Sequence, residues 1–381
     1  MIQTPGFLYT AMAFILVIGP LVFVHELGHY LAGRLFGVKA DEFSIGFGRE
    51  VFGFTDKRGT RWKFGWMPLG GYVKFAGDMD ASSKPDPDWL ALPAAERERT
   101  FQAKPLWQRA IIVAAGPVTN FVVAIAILMG FALSYGELRT PAVVGTIQPG
   151  SPAQIAGLQP GDRVVALGGR GIDSFEDMVR FIQIRPGQAV RVDFLRGNAP
   201  QSVDLTVGTH IERDRFGNEP KIGRLGIGRT AATLVPVSVV EAPVVAIRQT
   251  GNILRMMGDV IGQIVSGRRS VKELGGPLSI AKVSGEQMAL GSASFVFLIA
   301  LVSINLGFIN LLPVPVLDGG HLLFYAIEAV RRRPLEANVQ EWAFRGGLAA
   351  VLALMVLVTF NDLGSLGLWT QLGNRLAGLI G

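Results

Sequence analysis

The sequence predicts an α-helical membrane protein with about four transmembrane helices and an inserted, mostly β domain. Of its 381 residues, 49% are hydrophobic and only 17% are charged, a balance that is unusual for a soluble globular protein. Four apolar segments are long enough to cross a hydrocarbon core, which takes about 20 residues. Between the second and the third segment, short β-branched runs alternate with Gly and Pro turns, which indicates a β domain.

The predicted helices divide the chain into regions. The four apolar cores are residues 7–24, 110–133, 295–312 and 346–360. The first is expected to be retained rather than cleaved as a signal, since no Lys or Arg precedes Arg34 and no small-residue cleavage site follows. The predicted regions are 1–33 (first helix with an HExxH motif), 34–109 (cytoplasmic loop), 110–133 (second helix), 134–230 (β domain), 231–292 (external amphipathic segment), 293–342 (third helix, LDG motif and cytoplasmic loop) and 343–381 (fourth helix and tail).

Basic residues predict the orientation. The loop 34–109 contains thirteen Lys or Arg residues, and the last connection contains Arg331, Arg332 and Arg333. Since short loops rich in Lys and Arg stay in the cytoplasm, both are predicted to be cytoplasmic and residues 134–294 external. The net charge of +6 has no basic block, so a nucleic-acid partner is not expected, and the lack of cysteine excludes disulfides and thiolate metal ligands.

The loop 34–109 is predicted to contain a membrane-associated β-hairpin. The stretches FSIGFGREVFGF and TRWKFGWMPLGGYVKF alternate aromatic and β-branched residues with glycine turns, which is typical of strands. Residues 78–104 are rich in Asp, Pro, Glu and Arg and are expected to be solvated and mobile.

The external β domain has a specific signature. Strands are predicted at 142–147, 163–167, 189–195 and 202–207, and a helix at 174–182 with Ser174 as its N-cap. The pattern PGSPAxxAGLxxGDxV resembles bacterial PDZ modules, which bind extended peptides along a sheet edge. By this resemblance, Leu225, Gly226 and Ile227 belong to the peptide groove; the alternative is a rigid spacer with an empty groove. Residues 244–265 have helical amphipathic spacing and are expected to lie on the outer membrane surface or against the helices.

The first apolar segment ends in the motif FVHELGHY. His25 and His29 are four residues apart, so on a helix both imidazoles lie on one face and can reach one ion at about 2.0 to 2.1 Å. Glu26 projects beside that position, where a general base would act on water. The sequence therefore predicts a zinc site that lacks one ligand, although two histidines at a helix end could also simply meet the lipid headgroups.

The third ligand is predicted to be Asp318. The first and the third helices run in the same direction, so their far ends lie on the same side of the membrane, and Asp318 follows the third helix in NLLPVPVLDGGH. Coordination would offset the cost of a carboxylate near hydrocarbon. The alternatives are a helix N-cap role for Asp318, or His321 as the ligand, whereas His210 lies in the external region.

These motifs together resemble the site-2 protease family of intramembrane zinc metalloproteases, in its bacterial sigma-E regulator protease branch. The likeness also covers FSIGFG, PLGGYVKFAGD, AAGPVTNF and GGPLSIAKVSG, and departs in having one PDZ module where the best-known members have two. It implies one zinc ion per chain, held by His25, His29 and Asp318, with Glu26 as general base. It also implies a substrate groove lined by Asn305, Asn310, Pro313 and Pro315 and by a loop containing Gly46, Phe47 and Gly48.

The resemblance implies a protease of the bacterial inner membrane that cuts transmembrane segments of membrane-protein substrates. Its active site would lie near the cytoplasmic side of the lipid bilayer and its PDZ domain in the periplasm. Substrates such as anti-sigma factors or signal-peptide remnants would be admitted after cleavage by a site-1 protease. Two other hypotheses stay open: a non-catalytic PDZ scaffold with structural zinc, and a metal transporter, which should show several polar sites along a path.

Overall fold

The computed structural model describes residues 6–78, 92–211, 221–266 and 275–365. They belong to two compact units, one formed by residues 1–128 with 246–381 and the other by residues 129–245. The helices are α1 (Phe7–Leu35), α2 (Ala94–Arg97), α3 (Leu106–Tyr135), α4 (Pro152–Ile155), α5 (Phe175–Gln183), α6 (Ala242–Val265), α7 (Pro277–Leu290), α8 (Ser292–Asn310), α9 (Asp318–Arg331) and α10 (Ala337–Ser365). The strands are β1 (Ala40–Thr55), β2 (Arg61–Phe75), β3 (Glu137–Arg139), β4 (Val144–Ile147), β5 (Arg163–Leu167), β6 (Arg170–Gly171), β7 (Ala189–Arg196), β8 (Ala199–Thr206), β9 (Gly208–Ile211), β10 (Lys221–Arg224), β11 (Ile227–Arg229) and β12 (Thr233–Val235).

Four helices of the described chain are long and apolar enough to cross a membrane: α1, α3, α8 and α10. They coincide with the four predicted apolar cores, but three of them continue well past the apolar residues. α1 runs on through the HELGH motif to Leu35, because no helix-breaking residue intervenes. α8 stops at Asn310, two residues before the predicted end, because Pro313 cannot continue a helix. The predicted tail beyond residue 365 lies outside the described residues.

The predicted hairpin is present as β1 and β2, and both strands bend sharply. Residues 42–45 pair with residues 71–74 on one side and with residues 61–64 on the other, while residues 50–55 pair with 61–65. Two long strands thus build a sheet of four segments, with residues 71–75 at one edge and residues 50–55 at the other. This arrangement matters for the site because residues 71–75 form the edge that borders the cavity described below.

One face of the hairpin joins the core of its unit. Phe43 is buried and stacks on Trp62 with ring centroids 4.3 Å apart, and Tyr30 of α1 meets Phe43 edge to face. Phe101 also belongs to this core, since it is buried and stacks on Phe75 at 5.5 Å. The expectation that residues 78–104 are solvated is therefore wrong at Asp78, Thr100 and Phe101, which are buried, whereas most of residues 92–99 are exposed. Residues 79–91 lie outside the described chain.

The unit of residues 129–245 is mostly β, as predicted. Its sheet has the strand order β6-β5-β7-β8, and β11 pairs with β4. Ser174 caps α5 by accepting a hydrogen bond from the backbone N–H of Asp177 at 3.1 Å. Asp162, in the predicted Gly-Asp turn, is buried and accepts hydrogen bonds from Nε and Nη2 of Arg196 at 2.9 and 2.8 Å. An apolar core formed by residues such as Val144, Leu167 and Val192 fills the space beneath the sheet.

Besides the one-turn helix α2, two longer helices of the first unit were not predicted as separate elements. α7 packs directly on α1, so closely that a Cβ at Gly285 would lie 2.7 Å from Thr10 Oγ1. Asp362 of α10 accepts hydrogen bonds from the backbone N–H groups of Gly276 and Ser279 at 3.2 and 3.0 Å, which satisfies the free N–H groups at the start of α7. α9, the second of these helices, begins at Asp318.

Candidate metal centre

His25 and His29 lie one turn apart on α1, and their Nε2 atoms are 3.3 Å apart. Both side chains are largely buried, with His25 only 7% exposed. The helix can bury them because α1 and α3 approach closely here: a Cβ at Gly28 would overlap Oγ1 of Thr119 on α3. The glycine of HELGH therefore has a packing function between its two histidines.

Asp318 reaches the two histidines from the start of α9. Leu317 occupies the N-cap position and Asp318 is the first helical residue, so the predicted alternative of Asp318 as an N-cap is wrong. The preceding Val316 has a φ of 110°, a conformation that is strained for a β-branched residue and that lets the chain turn sharply into α9. Asp318 Oδ2 lies 3.2 Å from His25 Nε2, and Oδ1 lies 3.5 Å from His29 Nε2.

The three side chains fit a zinc ion. Their donor atoms all lie within 4.8 Å of one another. Ligand atoms at about 2.0 to 2.1 Å from one ion in a tetrahedral arrangement would be about 3.3 Å apart, which matches the observed separations of 3.2 to 3.5 Å. Oδ2 of Asp318 is buried and faces Nε2 of His25, a position in which a shared cation would satisfy both atoms.

Two groups of α3 contact the far side of the histidine rings. The backbone carbonyl oxygen of Ile112 lies 2.9 Å from Nδ1 of His29. The side-chain amide of Asn120 lies 3.1 Å from Nδ1 of His25. Neither residue was singled out from the sequence, although Asn120 is an amide within an apolar span and such residues need a partner.

Glu26 shares a cavity of about 460 Å³ with the three donors. It is 9% exposed, and the hairpin passes close to it, since a Cβ at Gly71 would lie 2.9 Å from Glu26 Cγ. A larger side chain at position 71 would therefore displace Glu26. The cavity brings together a potential base, three donors for one cation and a strand edge.

Only some of the residues predicted for the substrate groove line this cavity. Asn310 and Phe47 line the cavity, whereas Asn305, Pro313, Pro315, Gly46 and Gly48 do not. Gly46 and Gly48 have φ values of 85° and 87° and lie where β1 bends, so their conformation serves the shape of the hairpin. The sequence missed residues 70–73 of β2, which border the cavity, because their position depends on how the hairpin folds back on itself.

His321, the predicted rival of Asp318, also lines the cavity but is not among the converging donors. It lies one turn after Asp318 on α9, and its ring is 5.7 Å from that of Phe344. Within the described part of the chain, the group of three His or acidic residues that could hold a metal is His25, His29 and Asp318.

The second unit contains a separate cavity of about 330 Å³ between α5 and the segment that leads into β11. Leu225, Gly226 and Ile227 line it together with residues of α5 such as Met178 and Ile182. Gly226 has a φ of 76°, and a Cβ there would overlap Ser151, so the turn requires glycine. The predicted groove residues are thus together at one cavity, which also includes His210.

The chain is similar to proteins of one peptidase family. A sequence profile of peptidase family M50 matches residues 13–354. A protein of Agrobacterium fabrum, provisionally named a zinc metalloprotease, is 46% identical over 358 residues, which cover 93% of this chain and 95% of that protein. Metalloprotease MmpA of Caulobacter vibrioides is 36% identical over 398 residues, covering 97% and 98% of the two chains. The PDZ domain of an SdrC-like protein from Listeria monocytogenes matches 24% of this chain and 90% of its own length, with 18% identity and a TM-score of 0.20.

Proposed function

The chain belongs to peptidase family M50 and is a zinc metalloprotease, and on this premise we propose that it hydrolyses peptide bonds within transmembrane segments of other membrane proteins. The observation that carries the proposal is that His25 and His29, on the apolar helix α1, converge with Asp318 at the start of α9 in the same unit. A protease built on membrane-crossing helices has its reacting groups where membrane-embedded peptide bonds are, so its substrates are membrane proteins.

We assign the zinc ligands to His25 and His29 through Nε2 and to Asp318 through its carboxylate, with one ion per chain. Three protein ligands leave one coordination position open, as in catalytic rather than structural zinc sites. When bound, zinc supplies Lewis-acid chemistry, activating water and polarising the scissile carbonyl group.

Glu26 is the proposed general base. Its carboxylate takes a proton from the attacking water and then donates it to the amine nitrogen that leaves, which is the usual double role of a positioned carboxylate. The burial of Glu26 and the close passage of Gly71 hold the carboxylate in one place beside the proposed ligands. A fixed base of this kind typically contributes about 10²- to 10⁴-fold to the rate.

The substrate is proposed to lie extended along the sheet edge at residues 71–75. A transmembrane helix must unwind before its carbonyl groups can be attacked, and its freed backbone groups then need new partners within the membrane. A sheet edge next to the cavity can supply those hydrogen bonds by strand addition. This proposal replaces direct pairing with Gly46, Phe47 and Gly48, of which Phe47 lines the cavity together with Asn310.

The proposed location is the bacterial inner membrane, with the loop 34–109 in the cytoplasm and the PDZ domain in the periplasm. The basic residues of that loop support the orientation. Large exposed side chains on the hairpin, such as Phe52 and Trp66, support its contact with lipid. We also propose that the chain belongs to the branch of sigma-E regulator proteases.

The PDZ domain is proposed to act as a size filter or tether in regulated intramembrane proteolysis. Substrates such as anti-sigma factors or signal-peptide remnants would enter only after a site-1 protease has trimmed their external part. The groove at Leu225, Gly226 and Ile227 supports a peptide-binding role. If residues 142–229 are deleted, an untrimmed substrate should be cleaved; continued refusal of that substrate would contradict the filter.

The central test is Glu26→Gln in the full-length protein, assayed with a tagged single-span membrane substrate. We expect zinc content equal to that of the wild type and a loss of cleavage of at least about 10²-fold. The matched control is Glu286→Gln, which changes a glutamate of α7 outside the cavity and should leave cleavage unchanged. Unaltered cleavage by Glu26→Gln would exclude the proposed mechanism.

A further inference from the structure

One face of α3 lies alongside both histidines of α1. Ile112, Gly116 and Asn120 are spaced four residues apart, so they lie on successive turns of one helix face. Ile112 contacts His29 through its carbonyl oxygen, and Asn120 contacts His25 through its side chain. Gly116 leaves the space for the ring of His29, since a Cβ there would overlap Nε2 of that ring.

The contact of His29 determines its tautomer. A backbone carbonyl oxygen can only accept a hydrogen bond, so Nδ1 of His29 carries the proton and Nε2 has the free lone pair. That lone pair is what a metal ligand requires, and it is directed toward Asp318 and His25. The main chain of α3 therefore prepares His29 for coordination, and no side-chain substitution can remove this carbonyl.

The corresponding contact of His25 depends on a side chain. If Nε2 of His25 is the ligand atom, its Nδ1 carries a proton and needs an acceptor. In the structure Nδ2 of Asn120 faces this nitrogen at 3.1 Å, while Oδ1 is buried without a hydrogen-bond partner among the described residues. A half-turn about the Cβ–Cγ direction exchanges the two amide atoms and gives the imidazole N–H its acceptor.

We propose that Asn120 is a positioning residue of the metal centre, which presents Oδ1 to the Nδ1–H group of His25 and so directs Nε2 to the zinc ion. Its backbone is held in place independently: Oγ of Ser303 on α8 donates a hydrogen bond to the carbonyl oxygen of Asn120 at 2.8 Å, and both residues are fully buried. Asn120 thus links the helix that bears the histidines to α8.

The inference rests on the proposed ligand set, and the alternative is that Asn120 only stabilises the packing of α1, α3 and α8. The two roles differ in what they predict for metal affinity. A packing residue changes the stability of the protein with and without metal to the same extent. A positioning residue changes the zinc dissociation constant, because the ligand is less often in the required tautomer and orientation.

The test compares full-length, detergent-purified variants by zinc competition against a chelator and by the absorption spectrum of the cobalt-substituted protein. Asn120→Leu keeps the branched shape of the side chain but has no acceptor, and we expect it to raise the zinc dissociation constant about 10- to 100-fold. Asn120→Asp keeps an acceptor oxygen and should restore most of the affinity and the wild-type cobalt spectrum. Ser303→Ala removes the hydrogen bond to the backbone carbonyl of Asn120. It should lower thermal stability and leave the zinc dissociation constant unchanged.

Wild-type zinc affinity in Asn120→Leu, or an equal loss in Ser303→Ala, would overturn the inference. Asn120→Ala replaces the leucine variant in the same comparison if the latter does not fold. His25→Ala separates this inference from the ligand assignment on which it rests. If His25→Ala binds zinc as the wild type does, the ligand set itself is wrong; if it loses zinc while Asn120→Leu keeps it, only the role of Asn120 is wrong.

Discussion

His25 Nε2 and Asp318 Oδ2 lie 3.2 Å apart although one belongs to the first helix of the chain and the other to the ninth. The proximity depends on two local features. α1 continues without a break through HELGH, and the strained turn at Val316 starts α9 at the point where its first side chain faces α1. The site is therefore expected to be sensitive to changes in the ligands, in α1 and in the turn that precedes α9.

The third ligand can be identified by comparing Asp318→Asn with His321→Asn. Asparagine lacks the negative charge that makes a carboxylate a good zinc ligand. Substitution of a residue that only supports a zinc ligand typically weakens zinc binding by about 10- to 100-fold, and Asp318→Asn should weaken it by more than that. His321 lines the cavity but is not among the three converging donors, so His321→Asn should keep its zinc. Metal analysis after gel filtration measures both, and zinc loss in His321→Asn alone would reverse the assignment.

A methyl group added to α3 at Gly116 should disturb the proposed zinc site. In Gly116→Ala the new Cβ would overlap the ring of His29, so the ring or the helix must shift, and overpacking of this kind typically costs about 1–3 kcal/mol. We expect a lower melting temperature in detergent and a weaker zinc affinity. Gly130→Ala is the matched control on the same helix, because no atom lies within 4 Å of the added Cβ. Equal behaviour of the two variants would contradict the close contact.

The start of α7 should depend on Asp362. Its carboxylate accepts bonds from two backbone N–H groups and, at 2.6 Å, from the hydroxyl of Ser279. Asp362→Ala removes all of these and should lower the free energy of unfolding by about 0.5–2 kcal/mol, the range of a lost helix cap. Ser279→Ala removes only the hydroxyl bond and should cost less. Thermal unfolding in detergent compares them, and a larger effect of Ser279→Ala would show that the carboxylate is not the main cap.

The stability of the β unit should fall in acid through Asp162. Hydrogen bonds from the guanidinium group of Arg196 hold the pKa of the Asp162 carboxyl below its ordinary value. A carboxylate with a lowered pKa in the folded state stabilises the fold above its unfolded-state pKa of about 3.9. This contribution is lost as the pH falls through the lower, folded-state pKa.

The measurement is the rate of limited proteolysis within residues 129–245 between neutral pH and strongly acidic pH, using an acid-stable protease. The wild type should become more susceptible as the acid titrates Asp162. In Asp162→Asn the susceptibility should be raised already at neutral pH and should rise less in acid. A steeper acid response in Asp162→Asn than in the wild type would contradict the role of this ion pair.

Much of the fold could be predicted because each signal is local. The apolar cores of α1, α3, α8 and α10 are continuous in sequence, and the Ser174 cap of α5 depends on neighbours three residues away. The helices α7 and α9 were missed because their sequences are only moderately apolar and are stabilised by contacts with α1 and α10. The burial of Phe101 was missed for the same reason, since this one aromatic residue attaches a charged segment to the core.

The residues of the proposed site can be predicted from sequence patterns alone: two histidines and a glutamate in HELGH, an aspartate after the third span, and no cysteine together indicate a His–His–Asp zinc site. The atoms that surround this site follow from the tertiary structure. Residues 71–75 form an edge of the sheet only after the hairpin bends back on itself. Likewise, the contacts of Ile112 and Asn120 with the histidines exist only because α3 approaches α1 at Gly28 and Gly116. A pattern along one chain records what each residue can do, whereas a strand edge and a shared hydrogen bond are properties of segments that meet in space.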